Sequence, residues 1–187
     1  ELGAAKTITF HDGDPTMLEH AKTRAVAQFD GRVSFQLSPV DHTGLPDDAF
    51  DLVISHNGTH QMTSQKKLHS VMREFVRIVR PGGHIIIADY QRRVDPEFLS
   101  KLEERLRWTH PGIVLMLINT FLASFSRKEF EEVLASIPSI TSSVEDAQAP
   151  TELSPEMIQR VADDPFKGHI LDFSPISLRA IVQKEKI

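Results

Sequence analysis

The stretch Arg80-Pro81-Gly82-Gly83-His84-Ile85-Ile86-Ile87-Ala88-Asp89 constrains the fold of this chain more than any other. Pro81 stops the helix that precedes it, and the two glycines permit a tight turn. Three isoleucines then follow with no polar residue between them. A strand with one wet face alternates apolar and polar side chains, whereas an unbroken apolar run belongs to a strand covered on both faces. The chain is therefore expected to build a sheet with helices on each side.

The rest of the sequence supplies those parts in alternation. β-rich runs occur at Thr7–His11, Val33–Leu37, Asp51–Ser55, His84–Asp89, Ile140–Val144 and Leu178–Lys184. Helices are expected between them. One spans about 15–29, with Leu18, Ala21, Ala25 and Phe29 along one stripe. A second spans about 64–80, with Leu68, Val71, Met72, Phe75 and Val79 at helical spacing. Asp14-Pro15, Asp95-Pro96 and Ser154-Pro155 each pair a capping oxygen with proline at the first helical position. Ser126-Arg127-Lys128-Glu129 reads as a capping box. Such alternation favours right-handed crossovers and a mostly parallel, doubly wound α/β sheet. A single domain over 1–187 is expected, with 90–125 and 145–177 as elaborations on the substrate side. The second of these carries four prolines and a short helix near 154–163; a surface excursion without function is the alternative there.

Composition removes several function classes. A net charge of −5 and a pI near 6.0 give no basic field for nucleic acid. The absence of cysteine excludes disulfides, thiolate metal sites and cysteine nucleophiles, and fits a cytoplasmic protein. The longest apolar run, Gly112 to Ala123, is too short to span a membrane and is interrupted by Asn119 and Thr120. Residues 1–6 lack the basic start and apolar core of a signal peptide. No membrane partner is expected.

Open parallel sheets bind ligands beyond the carboxyl ends of their strands, so the residues there are the site candidates. Asp12 follows the first run, where a carboxylate can accept both hydroxyls of a ribose or merely support the turn at Gly13. Asp14 reads as the helix cap. After the second run, Asp41 and His42 precede Leu45-Pro46: an acid there can accept from an exocyclic amine, and the backbone N–H that follows can face a ring nitrogen. The third run ends in Ser55-His56-Asn57. His56 and His60 stand four apart without a third ligand, so no metal site is expected. His60 reads as a capping or packing residue and His56 as the general-base candidate. Arg92 and Arg93 can meet an anionic substrate or form a solvated pair. Trp108 and the 113–125 run can form an apolar lid, with core packing the alternative.

This order of parts resembles the class I S-adenosylmethionine-dependent methyltransferases, in the style of the small-molecule branch that includes the ubiquinone and menaquinone biosynthetic enzymes. The motifs that carry it are an acid after a strand, then Asp41-x-x-x-Leu45-Pro46, Phe50-Asp51-Leu52-Val53-Ile54-Ser55, an amphipathic helix, and Arg80-Pro81-Gly82-Gly83 before an apolar strand. They cover about 3–90; residues 121–144 follow more loosely. The resemblance implies a Rossmann-like fold with an antiparallel last strand and S-adenosyl-L-methionine as cofactor. It implies Asp12 and Gly13 at the cofactor ribose, Asp41 and His42 at the adenine, and Ser55 at the methionine end. Asn57 and Arg92 fall to the substrate and His56 to catalysis, on a small-molecule acceptor whose identity the sequence does not name.

One part of the family pattern is missing: an acid followed by a glycine-rich loop after a first, central strand. Glu1 to Lys6 resembles the tail of the helix that would follow that loop. Without its central strand a sheet leaves two neighbours with unpaired ladder groups. The expectation is that these 187 residues are not the whole fold: a further segment or another chain, as in a homodimer, fills the gap. The alternative is a degenerate, non-catalytic binding or regulatory module without cofactor.

Overall fold

The computed structural model describes residues 7–29, 32–92, 94–107, 110–147 and 177–186. Arg93, Trp108 and the helix expected near 154–163 lie outside them, as does most of 145–177. Among the described residues six strands form: β1 (Ile8–Asp12), β2 (Val33–Leu37), β3 (Phe50–His56), β4 (Val79–Tyr90), β5 (Ile140–Ala147) and β6 (Ser177–Lys184). Five α-helices accompany them: α1 (Pro15–Phe29), α2 (Gln65–Ile78), α3 (Pro96–Leu106), α4 (Pro111–Ala123) and α5 (Arg127–Ala135). The fold is the expected α/β one, Rossmann-like, with β3 and β4 parallel and the last strand, β6, antiparallel between β4 and β5.

The helix starts follow their capping chemistry. Ser64 accepts from Lys67 N at α2, Asp95 from Phe98 N at α3, and Ser126 with Glu129 closes a full capping box at α5. His110 caps α4 through Nδ1, which accepts from Gly112 N at 3.1 Å, a device the sequence reading did not anticipate.

Arg80 to Gly83 departs from the simple helix–turn–strand expectation. Val79 already pairs with Phe50, the ladder shifts, and Leu52 resumes it opposite His84, so the turn is an excursion within one long strand. Gly82 sits at φ 78°, where side chains are strained, and a Cβ on Gly83 would stand 2.9 Å from Asp51 O. Both glycines are there for the backbone.

The core lies on one side of the sheet. Leu68, Val71, Met72 and Phe75 of α2 pack with Phe130, Val133 and Leu134 of α5 against Ile85, Ile87, Ala180 and Val182. The other side differs from the double covering that the isoleucine run implies. Ile54, Ile86 and Ile181 are register partners on that face, yet Ile54 is 52% exposed and Ile181 38%. Leu52, two residues before Ile54, is 40% exposed. Fully burying one such side chain stabilises by roughly 1.5–3 kcal/mol, so this face leaves several kcal/mol unrealised.

The sheet is also split. β1 and β2 form a parallel pair of their own, and β3-β4-β6-β5 form the second sheet. Among the described residues β1 pairs only with β2 and β3 only with β4, so each carries an unpaired edge.

Candidate functional site

A cavity of about 670 Å³ is lined by residues of both separated strands, β1 and β3, and of α2 behind them. Its size suits a ligand of cofactor dimensions. It gathers Asp12, Gly13, Ser55, His56 and Asn57, five of the residues singled out in the sequence. Asp12 supports the turn with one of its oxygens. Oδ1 accepts from Asp14 N at 2.9 Å and fixes the turn, while the second oxygen accepts nothing from the described residues. Beside it, His11 Nε2 lies 3.0 Å from Ser38 Oγ. That hydroxyl already donates to Thr43 O at 2.8 Å, which makes His11 the donor in the pair. Burial draws the His11 pKa down, more than the Ser38 contact and nearby acids raise it.

Asp41, His42 and Arg92 stand outside the cavity wall, although Val40 and Thr43 belong to it. Asp41 is held by Lys67 at 2.5 Å, a contact that lowers its pKa. Arg92 donates from Nε to Ser124 O at 2.8 Å and pairs with Glu129 at 3.0 Å, tying β4 to the start of α5.

The loop carrying Asp41 is stitched to α2 by Glu74, which is only 7% exposed. Glu74 accepts from Thr43 N at 2.8 Å and Thr43 Oγ1 at 2.5 Å, and Arg77 donates to both its oxygens. The Arg77 hydrogen bonds, with those of Thr43 and against burial, hold its carboxyl down at about 2. A depressed carboxyl contributes stability fully above its unfolded value, and that stability drains as pH falls toward the folded value. Between pH 4.5 and 2 the protein is therefore expected to lose about 2 kcal/mol through this group, allowing for the part-exposed Arg77. Urea unfolding of wild type and Glu74→Gln at pH 7 and pH 3 checks it: the variant is weaker at pH 7 and its pH dependence shallower.

A second polar centre lies at the carboxyl ends of β3 and β4. Asn57, at φ 53°, turns the chain out of β3, and its N–H donates to Ala88 O at 2.9 Å. The following 3-10 helix (Thr59–Gln61) delivers four donors to Asp89, which is 2% exposed. Asp89 Oδ2 accepts from Thr59 N at 2.5 Å, Thr59 Oγ1 at 2.6 Å and His60 N at 3.1 Å. Oδ1 accepts from Tyr90 N at 2.7 Å and lies 2.7 Å from His60 Nδ1. Burial pushes the Asp89 carboxyl up, but the His60 and Thr59 hydrogen bonds prevail and keep it below its usual value. It stays a carboxylate, so His60 Nδ1 is the donor.

The His60 ring meets Tyr90 edge-on at 5.3 Å, and Tyr90 meets Phe121 of α4 in the same way at 5.3 Å. Phe98 of α3 completes this apolar wall against Phe121. The 113–125 run thus splits its roles: Leu117 and Phe121 pack inward while Leu115 and Met116 are exposed. His56, by contrast, is exposed on the cavity wall.

Residues 1–87 match the family model described as "Methyltransferase domain". The chain is 31% identical over 101 residues to the 27-O-demethylrifamycin SV methyltransferase of Amycolatopsis mediterranei, covering 54% of this chain and 36% of that protein. It thus spans about a third of the length of that curated relative. Among solved structures, the YcgJ protein of Bacillus subtilis matches at a TM-score of 0.59 and 16% identity, over 97% of this chain and 83% of that one. The plantazolicin methyltransferase BpumL, solved with a monoazolic desmethyl analog and S-adenosylhomocysteine, matches at 0.61 and 12% identity, over 96% and 67%.

Proposed function

We propose that this chain is part of a class I S-adenosylmethionine-dependent methyltransferase that methylates a small molecule, a reading supported by its similarity to the methyltransferase domain over residues 1–87. The observation that carries the reading is the convergence of Asp12, Gly13, Ser55, His56 and Asn57 on one cavity at the carboxyl ends of β1 and β3. That is where open parallel sheets receive nucleotides.

The donor set fits the cofactor on one side. The free oxygen of Asp12 is an acceptor for ribose hydroxyls, and Val40, Leu45 and Met17 offer apolar surface for an adenine. The adenine-side contact assigned to Asp41 and His42 requires their loop to face the cavity through its Val40 flank. When bound, the cofactor supplies an activated methyl on a sulfonium. The protein's task is to hold the acceptor in line with it and exclude water, which supplies much of the rate. Ser55, His56 and Asn57 flank the methionine end, with the aromatic wall of Tyr90, Phe98 and Phe121 beyond. Arg92, engaged by Ser124 and Glu129, positions that wall and reaches an anionic substrate only at its edge.

The molecule that names one relative, 27-O-demethylrifamycin SV, and the desmethyl plantazolicin analog bound by another support a small organic acceptor here. Among the described residues no helix is long and apolar enough to cross a membrane. With the cysteine-free composition, this supports a cytoplasmic enzyme.

Calorimetry on the protein as its gene encodes it tests the reading. Saturable heats are expected for both S-adenosylmethionine and S-adenosylhomocysteine. No heat with either would leave the non-catalytic module as the better account.

A further inference from the structure

We infer that His11 reads the adenine of the cofactor, its Nδ1 accepting a hydrogen bond from the exocyclic amine. The inference rests on the methyltransferase reading and adds to it a residue that sets which base the site takes.

The tautomer of the ring follows from its neighbours. Ser38 Oγ gives its one hydrogen to Thr43 O at 2.8 Å, so it can only accept from His11 Nε2 at 3.0 Å. A neutral imidazole carries one N–H, here on Nε2, and Nδ1 is left as an acceptor. Burial outweighs the Ser38 hydrogen bond and the two acids that face the ring, Asp12 on β1 and Glu74 on α2, so Nδ1 stays unprotonated at pH 8. No hydrogen bond reaches Nδ1 from the described residues. Every buried side-chain nitrogen or oxygen among them has a partner, so Nδ1 opens into accessible space, and His11 borders the cavity.

The ring is also held still. Gln36 Nε2 donates to the same Thr43 O at 3.0 Å. Glu74 anchors Thr43 through its N at 2.8 Å and its Oγ1 at 2.5 Å. The imidazole thus ends a chain of hydrogen bonds that starts on α2, and its open nitrogen is fixed before a ligand arrives. Thr9, two residues earlier on the same face of β1, lines the cavity as well, but its hydroxyl is engaged by Ser34 at 2.8 Å. On this face it is His11 that offers an unused acceptor.

An adenosyl group carries two kinds of donor, the ribose hydroxyls and the adenine amine. Asp12 presents its free oxygen to the hydroxyls at the end of β1. His11 is tied instead to Ser38 and Thr43, in the loop after β2 that brings Val40 and Leu45 to the wall as apolar surface for a base. A base resting on that surface turns its polar edge toward the residues that frame it, and His11 supplies the acceptor there. The amine has two hydrogens, so a contact to His11 leaves the second for Asp41. A 6-oxo base would set a carbonyl oxygen against Nδ1, two acceptors with no proton between them. Sites discriminate most strongly when the wrong ligand leaves polar groups unpaired in this way.

The test compares two ligands by calorimetry at pH 8 on the protein as its gene encodes it. One is S-adenosylhomocysteine; the other is S-inosylhomocysteine, in which a carbonyl oxygen replaces the amine. Wild type is expected to bind the adenosyl ligand about 30-fold more tightly. His11→Leu is expected to shrink that ratio about tenfold, since it removes both the favourable contact and the opposed acceptors. Equal binding of the two ligands by wild type overturns the inference. So does an unchanged ratio in His11→Leu, the result for a residue that only staples β1 to the loop. The 2′,3′-dideoxy analogue of S-adenosylhomocysteine tests the ribose: His11→Leu should weaken it by the same factor as the parent ligand. A loss confined to the ligand with hydroxyls would put His11 on the ribose and overturn the inference. Where His11→Leu does not fold, wild type with 15N-labelled histidine decides. Its His11 Nδ1 resonance is expected to move further with S-adenosylhomocysteine than with S-inosylhomocysteine, and equal shifts overturn the inference. Absence of S-adenosylhomocysteine binding in wild type strikes the proposed function instead, so the two failures are distinct.

Discussion

Prepared by itself, the 187-residue chain is expected to bind S-adenosylhomocysteine on the order of 100-fold more weakly than a form in which a further strand fills the slot between β1 and β3, a loss of nearly 3 kcal/mol. The slot follows from the pairing. β1 bonds only to β2 and β3 only to β4 among the described residues, and the two sheets meet no ladder between them. Each facing edge leaves N–H and C=O groups that a parallel strand would satisfy. The same strand would carry a loop to the cavity and add backbone N–H groups to the side-chain donors and acceptors of its described wall. Two or three backbone hydrogen bonds to the ligand, at about 1 kcal/mol each, account for the difference. Amide exchange reads it independently of the ligand. In the 187-residue chain the β1 and β3 edge amides exchange far faster than those of Ile85 and Ile87, and completion of the sheet slows them. Equal affinities, or protected edges in the chain alone, would show that the two sheets need nothing between them.

What the sequence disclosed and what it hid divide by the range of the interaction. Strand and helix positions came from local chemistry: proline after a capping acid at Asp14 and Asp95, an isoleucine run, helical spacing at Leu68 to Phe75. These depend on neighbours within a turn, and the structure places the elements where such signals sit. The split sheet was foreseeable only through the family resemblance, whose pattern includes a central strand and glycine-rich turn not found in residues 1–187. His60 was harder. Its ring is defined by Asp89, 29 residues away, and the pair meets only because β3 and β4 are adjacent and the chain turns at Asn57. From sequence, an acid ending one strand and a histidine after another are two separate weak signals. The turn that joins them was visible only as Asn57-Gly58. Likewise the loop at Asp41 depends on Glu74, buried by tertiary packing that no helical periodicity reveals.

Replacing Asp12 by alanine is expected to weaken S-adenosylmethionine binding roughly 10- to 100-fold in the form that binds it, since hydrogen bonds to a charged acceptor contribute about 1.5–3 kcal/mol. The competing account is that Asp12 only supports the turn, through Oδ1 and Asp14 N. Two further measurements separate them. Asp12→Asn keeps an acceptor for Asp14 N, so its melting temperature should stay close to wild type while its affinity still drops, the amide having lost the charge that favours ribose hydroxyls. The ligand supplies the second half of the cycle. A 2′,3′-dideoxy analogue of S-adenosylhomocysteine has no hydroxyls to donate, so wild type and Asp12→Asn should bind it almost equally. If the variant lost the same factor with the dideoxy analogue, the effect would come from the turn at Gly13 and not from the ribose. If it lost nothing with either ligand, the acid that closes β1 would face the cavity without touching what the cavity holds.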